Sequence, residues 1–382
     1  MKILIVKVFP GEIKVVRMTY NIQEIGLAVA LRKRGQEADV MSISDDGHFR
    51  QQQVSVDNES FTLYSVKATV ILKNGWLRNV YDIFDKYDII HICEYNQIYT
   101  WHTAKKYQNK TVCYHGPYYS SFNHNYNLMA RFFDMFFVNR YLKLNTCFIT
   151  KSILAKEYLE SKGIKNVHSI GVGLSTSFLE NKNSDQTIPE IENIKALNGL
   201  KLLYIGVLEP RRNSLYLLDI LKKLADDGID FHMVLIGRYK NEEYKKEFED
   251  KINALSLIDY IYYIPRMEQK YLRQVYKQCD IFLFPTIYDI YGMVLLEAMY
   301  FGLPTITSLN GGSSMMVRDG ENAIMLKDFD ANNWAKTVEK LAENKELRDK
   351  LGMAAHKTIA EHFTWDALAD KFIEVYKRSI RA

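Results

Sequence analysis

The chain has 382 residues, of which 47% are hydrophobic and 25% charged, a composition that excludes a disordered protein. At about 150 residues per domain, this length predicts two domains, each large enough to bury its own core. The net charge is +4, from 50 basic and 46 acidic residues. A protein dedicated to nucleic acid needs a concentrated basic face, so this near balance predicts no nucleic-acid partner.

The first half of the chain alternates short β-branched runs with helical patterns, which is typical of a parallel α/β domain. Predicted strands cover Lys2–Val8, Ala38–Met41, Asp88–Ile92, Thr111–Tyr114, Cys147–Thr150 and Val167–Ile170. Predicted helices cover Tyr20–Arg34, Leu128–Leu144 and Ile153–Lys162. The first run, Met1 to Val8, is too short for a signal peptide and reads as a buried strand.

A polar stretch from Asn181 to Gly199 is the predicted linker, and after it the same alternation restarts. Predicted strands cover Lys201–Gly206, Phe231–Gly237, Tyr260–Ile264, Asp280–Phe284 and Thr305–Ser308. Predicted helices cover Ser214–Asp227, Glu242–Lys251, Glu268–Lys277, Gly292–Gly302, two segments between Asp330 and His362, and Trp365–Ser379. The sequence therefore predicts two doubly wound domains, residues 1–180 and 200–363, whose ligands bind beyond the carboxyl ends of the strands.

Cysteine usage and hydropathy indicate a cytoplasmic protein. None of the four cysteines belongs to a CxxC pair, and each lies in or beside an apolar run, which predicts reduced core thiols. No stretch has about 18 uninterrupted apolar residues, so no membrane span is expected.

The most informative stretch is Cys279–Gly312, where a buried strand is followed by a loop with Asp289 and by a helix that opens at Gly292. The first N–H groups of such a helix and its macrodipole favour a phosphate without a metal ion. Glu297 is an acid in an otherwise apolar helix, and a buried charge needs a partner. Spacing alone leaves two partners open, which are the ribose of a nucleotide and an internal group of the protein.

This stretch resembles the signature of the retaining GT4 glycosyltransferases of GT-B fold (glycosyl transferases group 1). Their pattern is E-x-F-G-x-x-x-x-E, then A-x-x-x-G-x-P and a Gly-Gly loop. The chain has Asp289-Ile290-Tyr291-Gly292, Glu297-Ala298, Gly302-Leu303-Pro304 and Gly311-Gly312, with Asp in place of the first Glu and Tyr in place of Phe. The resemblance implies two Rossmann-like domains that face a central cleft, with the C-terminal helix, residues 364–382, packed back onto the first domain.

The resemblance also implies roles for individual residues. Glu297 would bind the ribose, Asp289 would lie near the transferred sugar, and His115, which ends a strand, would bond to that sugar. The remaining donor contacts implied are Gly206, Arg211, Arg212, Arg266, Met267, Tyr291, Gly292 and Met293, with Gly11 as a glycine loop. Arg212 takes the place of the family's Lys and would bind the diphosphate in bidentate fashion, whereas Val207 stands where the family has Arg.

The implied reaction is the transfer of a hexosyl or N-acetylhexosaminyl group from a nucleotide sugar, first of all a UDP-sugar, with retention at the anomeric carbon. The acceptor would be a hydroxyl of a glycan or of a lipid-linked glycan precursor. No cofactor and no metal are expected, because Asp330 of the only D-x-D reads as a helix N-cap. Two alternatives stay open, a nucleotide-sugar epimerase of the same fold and a non-catalytic nucleotide-sugar-binding or scaffold subunit.

One predicted helix, Leu128–Leu144, combines aromatic and basic residues. Phe132, Phe133, Phe136 and Phe137 have helical spacing, which favours core packing. Arg131 and Arg140 leave open a peripheral contact with the inner face of the cytoplasmic membrane or with a lipid-linked acceptor.

Overall fold

The computed structural model of the chain describes residues 1–15, 22–71, 74–179 and 188–381. The chain divides into two compact units, which are Met1–Ser177 together with Phe363–Ala382, and Phe178–His362. Both units combine a mainly parallel sheet with helices, so the predicted α/β fold class is confirmed.

The first half of the chain starts with a strand and ends with a short helix. In chain order its elements are β1 (Lys2–Val6), α1 (Gln23–Lys33), β2 (Glu37–Ile43), β3 (Arg50–Val56), β4 (Glu59–Val66), β5 (Ala68–Ile71), β6 (Asn74–Leu77), α2 (Tyr81–Phe84), β7 (Ile89–Cys93), α3 (Ile98–Lys106), β8 (Thr111–His115), α4 (His124–Leu142), β9 (Cys147–Thr150), α5 (Ile153–Glu160), β10 (Val167–Ser169) and α6 (Thr176–Leu179).

The second half of the chain starts and ends with a helix. In chain order its elements are α7 (Pro189–Ala196), β11 (Leu200–Ile205), α8 (Ser214–Asp226), β12 (Phe231–Ile236), α9 (Glu242–Ala254), β13 (Ile261–Ile264), α10 (Gln269–Gln278), β14 (Ile281–Phe284), α11 (Met293–Tyr300), β15 (Thr305–Ser308), α12 (Ser313–Met316), β16 (Ile324–Leu326), α13 (Ala331–Glu343), α14 (Lys345–His362) and α15 (Trp365–Arg381).

The first unit is built on the sheet β10-β9-β8-β7-β1-β2-β4-β3, in which only β3 runs antiparallel to its neighbour. β1 lies between β2 and β7, so the chain leaves it on one side and returns on the other, which makes a topological switch point. α15 packs on this unit through Trp365, whose ring fills the space beside Gly26 and Gly173. The hydroxyl of Tyr376, further along α15, lies 2.8 Å from Nδ1 of His91 in β7.

The second unit has the parallel sheet β13-β12-β11-β14-β15-β16. Its switch point lies between β11 and β14, from which the chain winds in opposite directions. α8 packs on the sheet through four fully buried leucines at helical spacing, which are Leu217, Leu218, Leu221 and Leu224. Burial of such side chains is the main stabilising contribution to a domain of this size.

Several sequence predictions need correction. Part of the predicted linker is the helix α7, because Ile191 and Ile194 are buried on one face of it. Residues 181–187 of that stretch, like the start of the predicted helix Tyr20–Arg34, lie outside the described residues. The hairpin of β3 and β4, the small sheet of β5 and β6, and α3 were not predicted. From Phe61 to Ile71, a stretch that covers most of β4 and β5, polar and apolar residues alternate poorly.

The predicted core packing of α4 is correct for Phe133 and wrong for two of its neighbours. Phe133 is buried and stacks on Phe137 at a ring distance of 4.5 Å. Phe132 and Phe136 are 60% and 47% exposed. The four side chains span two faces of the helix, and only one of those faces meets the unit.

Two expectations about thiols and membranes can be compared with the structure. The four cysteines are free thiols, and Cys113, Cys147 and Cys279 are buried. Among the helices of the described ranges, none has the length and apolarity needed to cross a membrane.

Asp330 is the N-cap of α13, as the sequence predicts, because its carboxylate accepts the N–H of Asn332 at 2.9 Å. We expect Asp330→Ala to lower the free energy of unfolding by about 1 kcal/mol, because an N–H of the first turn loses its acceptor. Asp330→Asn keeps an acceptor oxygen and should stay close to the wild type in the same denaturation experiment. An equal loss in both variants would contradict the capping role.

Candidate functional site

Two loops meet at the carboxyl edge of the second sheet, one after β11 and the other after β14. The first contains a single 3-10 turn, Pro210–Arg212. The carbonyl of Arg211 accepts the N–H groups of Ile287 and Tyr288 from the second loop, at 3.1 and 3.2 Å. Since β11 and β14 are neighbours, these two bonds tie the loops together at the switch point, where open α/β sheets bind ligands.

An ion pair between Arg212 and Asp289 joins the same two loops. Both side chains are mostly buried, and the guanidinium also lies 5.6 Å above the ring of Phe284. Within the described part of the chain, Nε of Arg212 is buried without a hydrogen-bond partner. The structure therefore brings together the two residues that the sequence predicted from separate motifs, and it leaves donor capacity on the cation.

Arg211 differs from Arg212 in its surroundings. Its guanidinium pairs with Glu209 at 2.7 Å and donates to the carbonyl of Tyr288 at 3.3 Å. These contacts hold the loop junction, so a phosphate would have to compete for this side chain. The predicted diphosphate contact of Arg211 stays a prediction.

Glycines allow the loop of Asp289 to approach its neighbours closely. Gly292, the N-cap of α11, has φ +75°, a left-handed conformation that favours glycine. A Cβ on Gly311 would lie 2.2 Å from the carbonyl oxygen of Ile290, and one on Gly312 would lie 1.7 Å from that of Tyr291. The Gly311 N–H also donates to the carbonyl of Asp289 at 3.0 Å. The paired glycines therefore pack directly against the backbone of this loop. Met293 is the first residue of α11.

Glu297 lies on α11 and is fully buried. The hydroxyl of Tyr276 in α10 donates to its Oε2 at 3.0 Å. Of the two kinds of partner that the sequence left open, the structure supplies an internal one, and the ribose contact stays a prediction. Tyr276 was not predicted, because nothing in its own helix shows that its hydroxyl faces α11.

The other predicted donor contacts follow strands of the same edge. Gly206 directly follows β11, and a Cβ on Gly237, which directly follows β12, would lie 1.8 Å from the carbonyl oxygen of Gly206. Gly237 was not predicted, although it occupies the equivalent place one strand away. Arg266 is exposed and Met267 half-buried in the loop between β13 and α10.

In the first unit, three charged or titratable side chains meet at the carboxyl ends of β7, β8 and β9. Nδ1 of His115 lies 2.8 Å from Oε2 of Glu94, which also accepts the N–H of Gly116 at 3.1 Å. Nζ of Lys151 lies 3.5 Å from Oε1 of Glu94. His115 is fully buried and its Nδ1 faces Glu94, whereas its Nε2 has no hydrogen-bond partner in the described part of the chain. Its contact with a donor sugar stays a prediction.

Glu94 and Lys151 were not predicted, although each directly follows a strand next to that of His115. Their shared position at the carboxyl ends of adjacent strands was the feature of the sequence that could have predicted the cluster. Burial raises the pKa of the Glu94 carboxyl, but Lys151, His115 and the Gly116 N–H together outweigh burial, and the net pKa is lowered.

Two further expectations concern Gly11 and metals. Gly11 forms a turn after β1 with φ +108°, and its carbonyl accepts Nζ of Lys7 at 3.0 Å. In the ranges that the structure describes, there is no group of three or more His, Cys, Asp or Glu side chains with the geometry of a metal site.

The pH dependence of thermal stability tests the role of the Glu94 charge. Because its pKa lies below the usual 4.5, its stabilisation is present above that value and is lost as the pH falls through the folded pKa. We expect Glu94→Gln to melt about 2–4 °C lower than the wild type at neutral pH, with the difference shrinking as the pH falls below the usual pKa of a glutamate. Glu37→Gln, a change at an exposed carboxylate of the same unit, is the control and should have little effect. A difference that does not depend on pH would contradict the stabilising role of the Glu94 charge.

Comparisons with known proteins agree with this architecture. The family model described as Glycosyl transferases group 1 matches residues 186–358, and that described as Glycosyltransferase Family 4 matches residues 25–178. A glycosyltransferase from Rickettsia africae has a similar fold, with a TM-score of 0.74 over 100% of this chain and 99% of that one, at 16% identity. The structure of Anabaena Alr3699/HepE in complex with UDP and glucose has a TM-score of 0.71 over 99% of this chain and 100% of that one, at 15% identity.

Curated relatives match over part of their length. Spore coat protein SA of Bacillus subtilis is 26% identical over 56% of this chain and 59% of its own length. A D-inositol 3-phosphate glycosyltransferase of Thermomonospora curvata is 26% identical over 46% of this chain and 42% of its own. The chain thus spans about half the length of these relatives.

Because the two family models follow one another along both units, the chain belongs to the GT4-type glycosyltransferases of GT-B fold.

Proposed function

We propose that the chain transfers a hexosyl or N-acetylhexosaminyl group from a nucleotide sugar, with UDP as the favoured nucleotide, to a hydroxyl with retention. The acceptor is a glycan or a lipid-linked glycan precursor at the cytoplasmic side of a membrane. The observation that carries this proposal is the Arg212–Asp289 pair at the tied loops of the second unit. The complexes of Anabaena Alr3699/HepE with UDP and with UDP-glucose support the choice of nucleotide.

The chemistry of this site is mainly electrostatic. The oxygen of the acceptor hydroxyl forms a bond to the anomeric carbon while the bond from that carbon to the diphosphate breaks, both on the same face. The hydroxyl proton passes to the leaving phosphate oxygen, so no protein nucleophile is needed. Charge grows on the diphosphate, and Arg212 with the first N–H groups of α11 would stabilise it. Asp289 orients Arg212 and lies beside the transferred sugar.

Positive charge from an arginine and a helix N-terminus replaces a divalent cation in this proposal. Asp330, the second acid of the D-x-D sequence, caps the N-terminus of α13. The site would therefore work without a metal or any other cofactor.

The two alternatives predict different products. Radiolabelled nucleotide sugars are incubated with the protein, with and without membrane extract. The proposal expects a labelled glycan or glycolipid that depends on the extract. An epimerised nucleotide sugar without extract would favour an epimerase, and binding without turnover would favour a scaffold subunit.

Variants of the two neighbouring arginines should differ in their effects. Arg212→Ala should lower kcat about a hundredfold with a smaller change in KM, because the charge that it stabilises grows in the transition state. Arg211→Ala is the matched control, and it should change thermal stability more than kcat, since that side chain holds the loops. Normal turnover in Arg212→Ala with a large loss in Arg211→Ala would move the phosphate role to Arg211.

A variant of Glu297 tests the proposed contact with the ribose. Glu297→Gln keeps an acceptor for Tyr276 but removes the negative charge, and it should weaken UDP binding about tenfold in calorimetry. The same variant should bind 2′,3′-dideoxy-UDP as the wild type does, because that ligand lacks the hydroxyls. Unchanged affinity for UDP in a folded variant would show that Glu297 serves only Tyr276.

A chelator tests whether transfer requires a metal ion. Transfer should continue in excess chelator, because Arg212 and α11 supply the positive charge. A modest stimulation by magnesium is compatible with this, since free nucleotide binds it. Complete loss in chelator, restored by manganese or magnesium, would contradict the proposed mechanism and would return attention to Asp328 and Asp330.

A further inference from the structure

The outward side of α4 is an apolar surface. We call it the outer face of α4 and define it by five residues that are between 45% and 69% exposed: Leu128, Met129, Phe132, Met135 and Phe136. Their spacing places them on one side of a helix of 19 residues. Scattered apolar residues are normal on protein surfaces, but five large ones on one helix face form a patch of the kind that marks an interaction site.

The helix that bears this face is firmly anchored from its other side. Asp134 accepts the hydroxyls of Tyr95 at 2.8 Å and Tyr119 at 3.2 Å, and it pairs with Lys162. Phe133 and Tyr141 are buried against the unit. The outer face is therefore presented by a packed helix whose inward side already has its own partners.

The exposed charged side chains of α4 and of the residue after it have one sign. Arg131 and Arg140 of α4 and Lys143 just after it are exposed. The only carboxylate of α4 is Asp134, and it is turned inward and paired. Arg131 lies 5.8 Å above the ring of Tyr119, and Arg140 lies 5.4 Å above that of Phe137, so both guanidiniums are held at the border of the patch.

We propose that the outer face of α4 docks on an anionic lipid surface. The apolar side chains would enter the boundary between headgroups and acyl chains, and the three cations would lie at lipid phosphates. The helix would lie in the plane of the membrane. This inference goes beyond the proposed function, because it uses no residue of the donor site.

A second copy of the chain fits this face less well. A symmetric dimer through the outer face would set Arg131, Arg140 and Lys143 against the same cations of the other copy. No carboxylate of α4 faces outward to compensate them. An anionic bilayer supplies both the negative charge and the apolar interior.

The test is co-sedimentation of the full chain with vesicles, without nucleotide or acceptor. Vesicles of phosphatidylcholine with phosphatidylglycerol should bind the wild type, and vesicles of phosphatidylcholine alone should bind it much less. Phe132→Ser combined with Phe136→Ser should weaken binding about tenfold or more, because two anchoring rings are lost. Added salt should weaken wild-type binding, since the attraction of the cations is screened.

Phe49→Ser is the matched control, because Phe49 is 58% exposed on the same unit but lies outside α4. It should bind vesicles as the wild type does. Equal binding by the double variant and Phe49→Ser, equal binding to both kinds of vesicle, or no binding by the wild type would overturn the proposal. A wild-type dimer that the double variant converts to a monomer would also overturn it and assign the face to a second copy. None of these results depends on turnover, so failure here is distinguishable from failure of the proposed function.

Discussion

The candidate site depends on the tie between the loops that follow β11 and β14. Parallel strands end at the same edge of a sheet, so neighbouring strands at a switch point bring their following loops together. In this chain the Arg211 carbonyl accepts two N–H groups of the other loop, and Arg212 pairs with Asp289 across the same junction. A cation is thereby held in place before any ligand arrives, which is the kind of preorganisation that makes electrostatic catalysis effective.

The surrounding backbone packs closely against this junction. Gly311 and Gly312 lie so close to the loop of Asp289 that a Cβ on either would overlap a carbonyl oxygen. Parallel strands also end at one edge of the sheet in the first unit, where Glu94, His115 and Lys151 meet at the ends of three adjacent strands. Both clusters therefore arise from topology, and no single local motif encodes them.

The sequence predicted what is local and missed what depends on pairing in space. Strands such as β11 and β14 and the cap at Asp330 follow from apolar runs and from capping chemistry, which are readable in a short window. Arg212 and Asp289 were predicted from separate motifs, but their ion pair was not. Tyr276 was missed because the spacing of its own helix does not show that its hydroxyl faces α11. The exposure of Phe132 and Phe136 was missed because helical spacing does not show which apolar face of α4 is covered.

The central claim is that the nucleotide sugar binds at the tied loops of the second unit. Hydrogen–deuterium exchange with and without UDP tests it most directly, because the backbone N–H groups of residues 206–213 and 286–293 would lie around the ligand. We predict slower exchange in peptides covering these two ranges, and no change in peptides over β8 and β9 of the first unit. UDP that binds without slowing exchange in either range, or that protects other loops instead, would contradict the claim.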